Sequence, residues 1–148
     1  MKSDPPEGST TSEGSWSLTE YSDPGSPQLW IFRKNLSPAV PPGSSSHPFV
    51  CYLTVHFEPR DASGLPGTED ADRLEVIETR DIPAIERGDS SVLIGVALKD
   101  GIKDFVFYAS DRDEFIQRAT VVRDAHPEFG FGLEINRDPG WAAYEDFP

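Results

Sequence analysis

The chain has a single cysteine, Cys51. No internal disulfide can form, which fits a reducing compartment. No stretch approaches the apolar length of a membrane span, and the first residues lack a basic-then-apolar signal pattern, so no membrane association and a cytoplasmic location are expected. Basic residues are scarce: 13 Lys and Arg stand against 26 Asp and Glu, a formal net charge of -13. That surplus repels phosphate backbones, and no dense cluster of Lys and Arg offsets it, which disfavours direct nucleic-acid binding. It permits a protein partner with a basic surface, although surplus surface acid more commonly serves solubility.

Recognisable chemical motifs are also missing. There is no Gly-rich phosphate loop, no Gly-x-Ser-x-Gly elbow and no paired Cys-x-x-Cys. His47, His56 and His126 fall in a loop, a strand and a helix end, without the short spacing that metal sites use. Glu69, Asp70 and Asp72 cluster, but acid in a first helical turn complements the helix dipole and needs no cation. The reading therefore assigns no metal, no cofactor and no catalytic residue.

What is present is a fold pattern of about one domain's length. The stretch 48–57 alternates as a strand does, with Phe49, Cys51, Leu53, Val55 and Phe57 on one side and Val50, Tyr52, Thr54 and His56 on the other. Residues 1–14, rich in Ser, Thr, Pro, Gly and acid, read as a disordered tail. The remainder, 15–148, reads as a single α+β domain. A hairpin over 15–36 brackets the Asp23-Pro24-Gly25-Ser26-Pro27 turn, and a Pro- and Ser-rich loop follows over 37–47.

The 48–136 core carries strand, helix, strand, strand, helix, strand. Thr68 is placed to cap the first helix, whose stripe is Ala71, Leu74, Ile77, Ile82 and Ile85, and Pro83 should divide it near Asp81. Ser110 and Asp113 form a capping box for the second helix, with Phe115, Ile116, Ala119, Val122 and Ala125 inward. This order is the ferredoxin-like βαββαβ arrangement: an antiparallel sheet with two helices on one face, here preceded by an N-terminal β-hairpin. Right-handed crossovers set the 48–57 strand between the third and fourth strands of the unit. The hairpin either extends an edge or folds over the open face.

With Phe49, Leu53, Ile94, Val96, Phe105, Phe107, Phe131 and Leu133 toward the helices, the opposite face collects Tyr52, Thr54, His56, Leu93, Gly95, Ala97, Val106, Tyr108, Gly130, Gly132 and Glu134. A semi-polar face floored by small residues admits a flat ligand or another backbone. Its candidate contacts are Tyr52, Thr54, His56, Tyr108 and Glu134, with His56 and Glu134 as a conceivable acid/base pair. The competing reading is a covered face, either by the hairpin through Trp16, Trp30 or Phe32, or by a second copy.

The C-terminal segment 137–148 holds Glu134-x-x-x-Asp138-Pro139-x-Trp141-x-x-Tyr144-x-x-Phe147-Pro148 with the preceding strand end. Together with Trp16, Arg33-Lys34-Asn35-Leu36, Gly64-Leu65-Pro66 and Phe107-Tyr108, in that order, it resembles family 695 of domains of unknown function. That family is in turn similar, in layout and in its tryptophan-tyrosine ending, to the bacterial regulator of ribonuclease E activity B, an acidic ferredoxin-like protein that inhibits a ribonuclease by binding it. The resemblance implies a bacterial cytoplasmic protein and non-enzymatic regulation, and assigns no catalytic residue. For Trp141 and Tyr144 the residues read first as aromatics clamped over a sheet edge to close the core, second as partner contacts.

The leading expectation is a non-catalytic protein-interaction or regulatory module, by the resemblance one that binds a nuclease. The alternative is a small-ligand-binding or enzymatic domain using the helix-free face, which requires a concave pocket there. Self-association through that face is the third.

Overall fold

The computed structural model describes residues 8–13 and 15–148, with side chains from residue 15 onward. Seven strands, β1 (Gly8–Glu13), β2 (Trp16–Ser22), β3 (Leu29–Asn35), β4 (Phe49–His56), β5 (Ser91–Lys99), β6 (Ile102–Ala109) and β7 (Gly130–Arg137), form one sheet. Their order is β1-β2-β3-β5-β6-β4-β7 and every pairing is antiparallel. The architecture is α+β. Its strand order departs from that of a four-stranded ferredoxin-like sheet, because β3 pairs with β5 and the hairpin continues the sheet at that edge. Strand β4 lies between β6 and β7.

Residues 1–7 and 14 of the expected tail lie outside the described residues. Residues 8–13 depart from that expectation, since the backbone pairs with β2 from Gly8↔Tyr21 to Glu13↔Trp16. The unpaired edge of β2 supplies backbone partners, so a polar segment joins the sheet through main-chain hydrogen bonds.

Helix α1 (Thr68–Val76) runs into a π-helical turn at Ile77–Asp81 and then the short α2 (Ile82–Ile85). Pro83 accounts for the division: its ring clashes with the carbonyl four residues earlier, and the ladder widens to make room. The expected Thr68 cap is corrected, because Gly67 is the N-cap and no side chain bonds there. For α3 (Arg112–Ala125) the cap is Asp111 instead of Ser110, its carboxylate accepting from the N–H groups of Asp113 and Glu114 at 3.0 and 3.2 Å. Asp111 wins because it sits two and three residues before those free N–H groups.

Leu74, Ile77, Ile82, Ile85, Phe115, Ala119 and Val122 pack on Cys51, Leu53, Val55, Phe105 and Phe107 to make the first core. Ala71 and Ala125 lie on the solvent side instead. The β5 face assignment also needs correcting. A bulge between Leu93 and Gly95 turns Leu93 to the helices and Ile94 to the opposite face. An extra residue in one strand reverses side-chain parity beyond it.

Candidate functional site

The helix-free face carries a second core. Val50, Val92, Ile94, Val106 and Tyr108 rise from the sheet and are covered by Trp141 and Tyr144, the latter on α4 (Ala142–Asp146). The cover is therefore the C-terminal segment lying across the face; the hairpin does not fold over it, and the clamp is not at an edge. Trp141 takes a left-handed backbone, φ 59°, which is costly for a bulky residue. Its indole is fully buried, stacks on Tyr108 at 3.9 Å and 9°, and donates Nε1–H to the His47 carbonyl at 3.0 Å. Tyr144 donates its hydroxyl to the Asn35 carbonyl at 2.7 Å. Phe147 meets Phe32 edge-on at 5.7 Å and lies above Gly95, where a Cβ would come within 2.6 Å of its ring. Any larger residue at 95 would require the Phe147 ring to shift.

Where this segment ends, the face stays open as a groove of about 360 Å³, lined by Phe32, Tyr52, Ala97, Lys99, Asp104 and Phe147 among others. Asp104 forms part of its floor and accepts a hydrogen bond from Thr54 Oγ1 at 2.6 Å. Burial pushes the Asp104 carboxyl up and Glu134 adds to this, against the opposing pull of Thr54, Lys99 and His56. The Tyr52 phenol is likewise raised, by burial first and then by the negative charge of Asp104, Glu134 and Asp138. Lys99 caps one end, its Nζ 5.0 Å from the Trp30 ring and 5.7 Å from that of Phe32. The arrangement is a semi-apolar trough with a carboxyl at its floor and net negative surroundings.

The five predicted face residues separate. Tyr52 and Thr54 line or support the groove, and His56 lies exposed beside Gly130 and Gly132. Glu134 is exposed too, and its Oε2 accepts from the Asn136 amide at 2.9 Å. No hydrogen bond between His56 and Glu134 occurs among the described residues, so the conceived acid/base pair is not assembled. Tyr108 is fully buried and leaves the accessible face altogether. Its hydroxyl is committed, donating to Asp138 Oδ2 at 2.6 Å and accepting from Tyr144 N–H at 3.2 Å.

His47 is held between Ser46 Oγ at 2.8 Å and the Asp89 carbonyl at 2.7 Å, and His126 between Asp81 at 2.6 Å and Glu128 at 3.4 Å. Glu69 and Asp70 pair with Arg73. Among the described residues no group of three or more His, Cys, Asp or Glu is arranged to hold a metal ion, and no helix is long and apolar enough to cross a membrane.

Asp104 and Lys99 are groove residues that sequence reading passed over, as are Ala143 and Asp146. A signal existed: aspartate is depleted in strands, and one within Lys103-Asp104-Phe105-Val106-Phe107 is anomalous.

A family model described as "Family of unknown function (DUF695)" matches residues 26–147. No curated protein and no solved structure matches the chain.

Proposed function

Because the chain belongs to this family of unknown function, whose description carries no activity, we propose a function from the groove itself: a non-catalytic binding module that takes a cationic side chain from a basic segment of a partner protein. The observation that carries the reading is the half-buried Asp104 carboxyl at the groove floor, walled by the Phe32, Tyr52 and Phe147 rings. Aromatic and methylene walls suit the stem of a lysine or arginine, and a carboxylate suits its head. Lys99 guards one end and excludes a second cation from it, which orients the guest. The overall charge of -13 draws a basic partner in.

The β4 strand between β6 and β7 supports reading this half of the sheet as a ferredoxin-like unit. The resemblance to the regulator of ribonuclease E activity B, read from the sequence pattern alone, makes a nuclease the partner and its regulation the role that this reading favours. A second reading rests on the same carboxyl. Asp104 holding its proton above the ordinary carboxylate range, beside the Tyr52 hydroxyl, is a general acid for a small ligand in the groove.

The test is a titration with a flexible basic peptide of five Gly-Lys repeats, followed by chemical shifts of groove residues at low and high salt. Saturable binding that weakens with salt and is lost in Asp104→Asn supports the module. Absence of binding, or binding indifferent to both changes, overturns it.

A further inference from the structure

We propose that the free edge of β7 is a docking site for an extended segment of a partner protein that alternates apolar and basic side chains, adding as a further strand beside β7. The proposal rests on the reading that the partner is basic, and it names how that partner's backbone is held.

Strand β7 ends the sheet, and its other side pairs with β4 through eight consecutive partners without a bulge, from Phe49↔Arg137 to His56↔Gly130. Sheet edges are ordinarily blunted by proline, inward charge, lysine or a bulge, because a row of free N–H and C=O groups is a template for another strand. Gly130-Phe131-Gly132-Leu133-Glu134-Ile135-Asn136-Arg137 holds no proline and no lysine. Its only charges are Glu134 and Arg137, and among the described residues no further strand pairs with this long, regular edge.

Its two faces specify the guest. On the helix side Phe131, Leu133 and Ile135 make an apolar row that the helices cover only in part, with Leu133 41% exposed. On the other side Gly130 and Gly132 leave a low notch next to His56 and Thr54, and Glu134 stands exposed at its end. Successive side chains of an added strand point to opposite faces. One set therefore continues the apolar row, and the other lies over the glycine notch against Glu134, where a long cationic chain fits and an acidic one is repelled. A second copy is the poorer occupant, since each chain carries a formal charge of -13.

The experiment uses the full chain and a synthetic peptide of five Val-Lys repeats, with three comparison peptides. One replaces Lys by Glu. One keeps the composition but groups Val and Lys in blocks. One is N-methylated on every peptide nitrogen, which keeps the side chains and charges but removes the edge donors. Affinity is measured by titration, and amide exchange by NMR locates the contact.

The expected result is binding of the alternating peptide with slowed exchange at amides within 130–137, and at least tenfold weaker binding by all three comparison peptides. Leu133→Thr, which keeps a strand-favouring residue at this partly exposed position, should also weaken binding, with the melting temperature recorded beside it to separate loss of the apolar row from loss of the fold. Equal binding of the N-methylated peptide, or unchanged exchange throughout 130–137, overturns the proposal. So does finding the free protein already dimeric with those amides protected. The flexible Gly-Lys peptide separates the two readings. If it binds and Asp104→Asn abolishes that binding, the groove stands whatever happens at the edge; if the alternating Val-Lys peptide then leaves exchange at β7 unchanged, the edge proposal falls alone.

Discussion

Tyr108 and Trp141 stack face to face at 3.9 Å, and the same tyrosine donates its hydroxyl to Asp138 at 2.6 Å, three residues before its stacking partner. One side chain of the sheet thus fixes both the start of the C-terminal segment and its anchor. Asp138 in turn accepts from the N–H groups of Ala142 and Ala143 at 3.0 and 2.9 Å. Trp141→Ala leaves a cavity over the second core and should cost about 3–5 kcal/mol. Tyr108→Phe keeps the stack and removes the hydrogen bond to the Asp138 carboxylate, which still accepts from Ala142 and Ala143 while the Tyr144 N–H keeps the Trp141 carbonyl, and should cost about 1–3 kcal/mol. Urea denaturation checks both.

On the other side of the sheet, Glu78 accepts from Arg33 twice at 2.7 Å and from Lys103 at 2.7 Å, with Lys103 almost wholly buried. Burial pushes the Glu78 carboxyl up, but the two cations outweigh it and hold it below the ordinary carboxylate range. The folded state therefore binds this proton less readily than the unfolded chain. The stabilisation is complete above the unfolded value of about 4.3 and is lost as pH falls through the lower folded value. Glu78→Gln strands two cations and should cost roughly 3 kcal/mol at neutral pH, the low end for a broken buried pair because Arg33 remains 35% exposed. Its stability profile should lose the acid-side drop that this carboxylate contributes to the parent.

Asp104 has the opposite sign. Its raised folded pKa means that its contribution is present at acid pH and declines as pH rises through that value. Asp104→Asn should therefore gain stability relative to the parent on going from pH 3 to pH 7, measured by thermal melting across that range. A basic peptide favours the ionised carboxylate, so its affinity for the parent should climb with pH until Asp104 is ionised in the free protein. Asp104→Asn should lose the part of this climb that lies above the range in which the exposed carboxylates titrate.

Cys51 sits at the centre of the first core, its thiol pushed up to about 12 by burial, with Arg112 drawing it slightly back. Thiolate is the reactive form. Iodoacetamide should leave the native protein unmodified for hours at pH 8 and label it fully in denaturant, as intact-mass spectra would register.

Much of this architecture could be read from alternation alone. The parity of 49–57 is marked by Tyr52, Thr54 and His56 standing among apolar neighbours, and the structure keeps it. Val92-Leu93-Ile94-Gly95-Val96-Ala97 has no polar residue to mark a face, so the bulge that exchanges Leu93 and Ile94 left no trace in the pattern. The groove was half legible. Tyr52 and Thr54 were named because strand parity exposes them, whereas Asp104 lies on the partner strand opposite Thr54 and depends on register. Tyr108 has the same parity as Tyr52 and differs only in what lies above it. A segment with no periodicity of its own, 138–147, decides that, and its docking cannot be inferred from spacing.

The hydrogen bonds that seat this segment join residues 94 apart for Trp141 to His47, 109 apart for Tyr144 to Asn35 and 113 apart for Lys34 to the Phe147 carbonyl. Closing such long loops costs entropy before any contact rewards it. The expectation is that the segment docks after the sheet has formed, because the face it packs on is made by strands β4, β5 and β6. Substitutions from Trp141 to Phe147 should therefore quicken unfolding while leaving the refolding rate nearly unchanged in stopped-flow measurements. On that expectation the groove opens beside the last piece of the protein to lock into place and the first to let go.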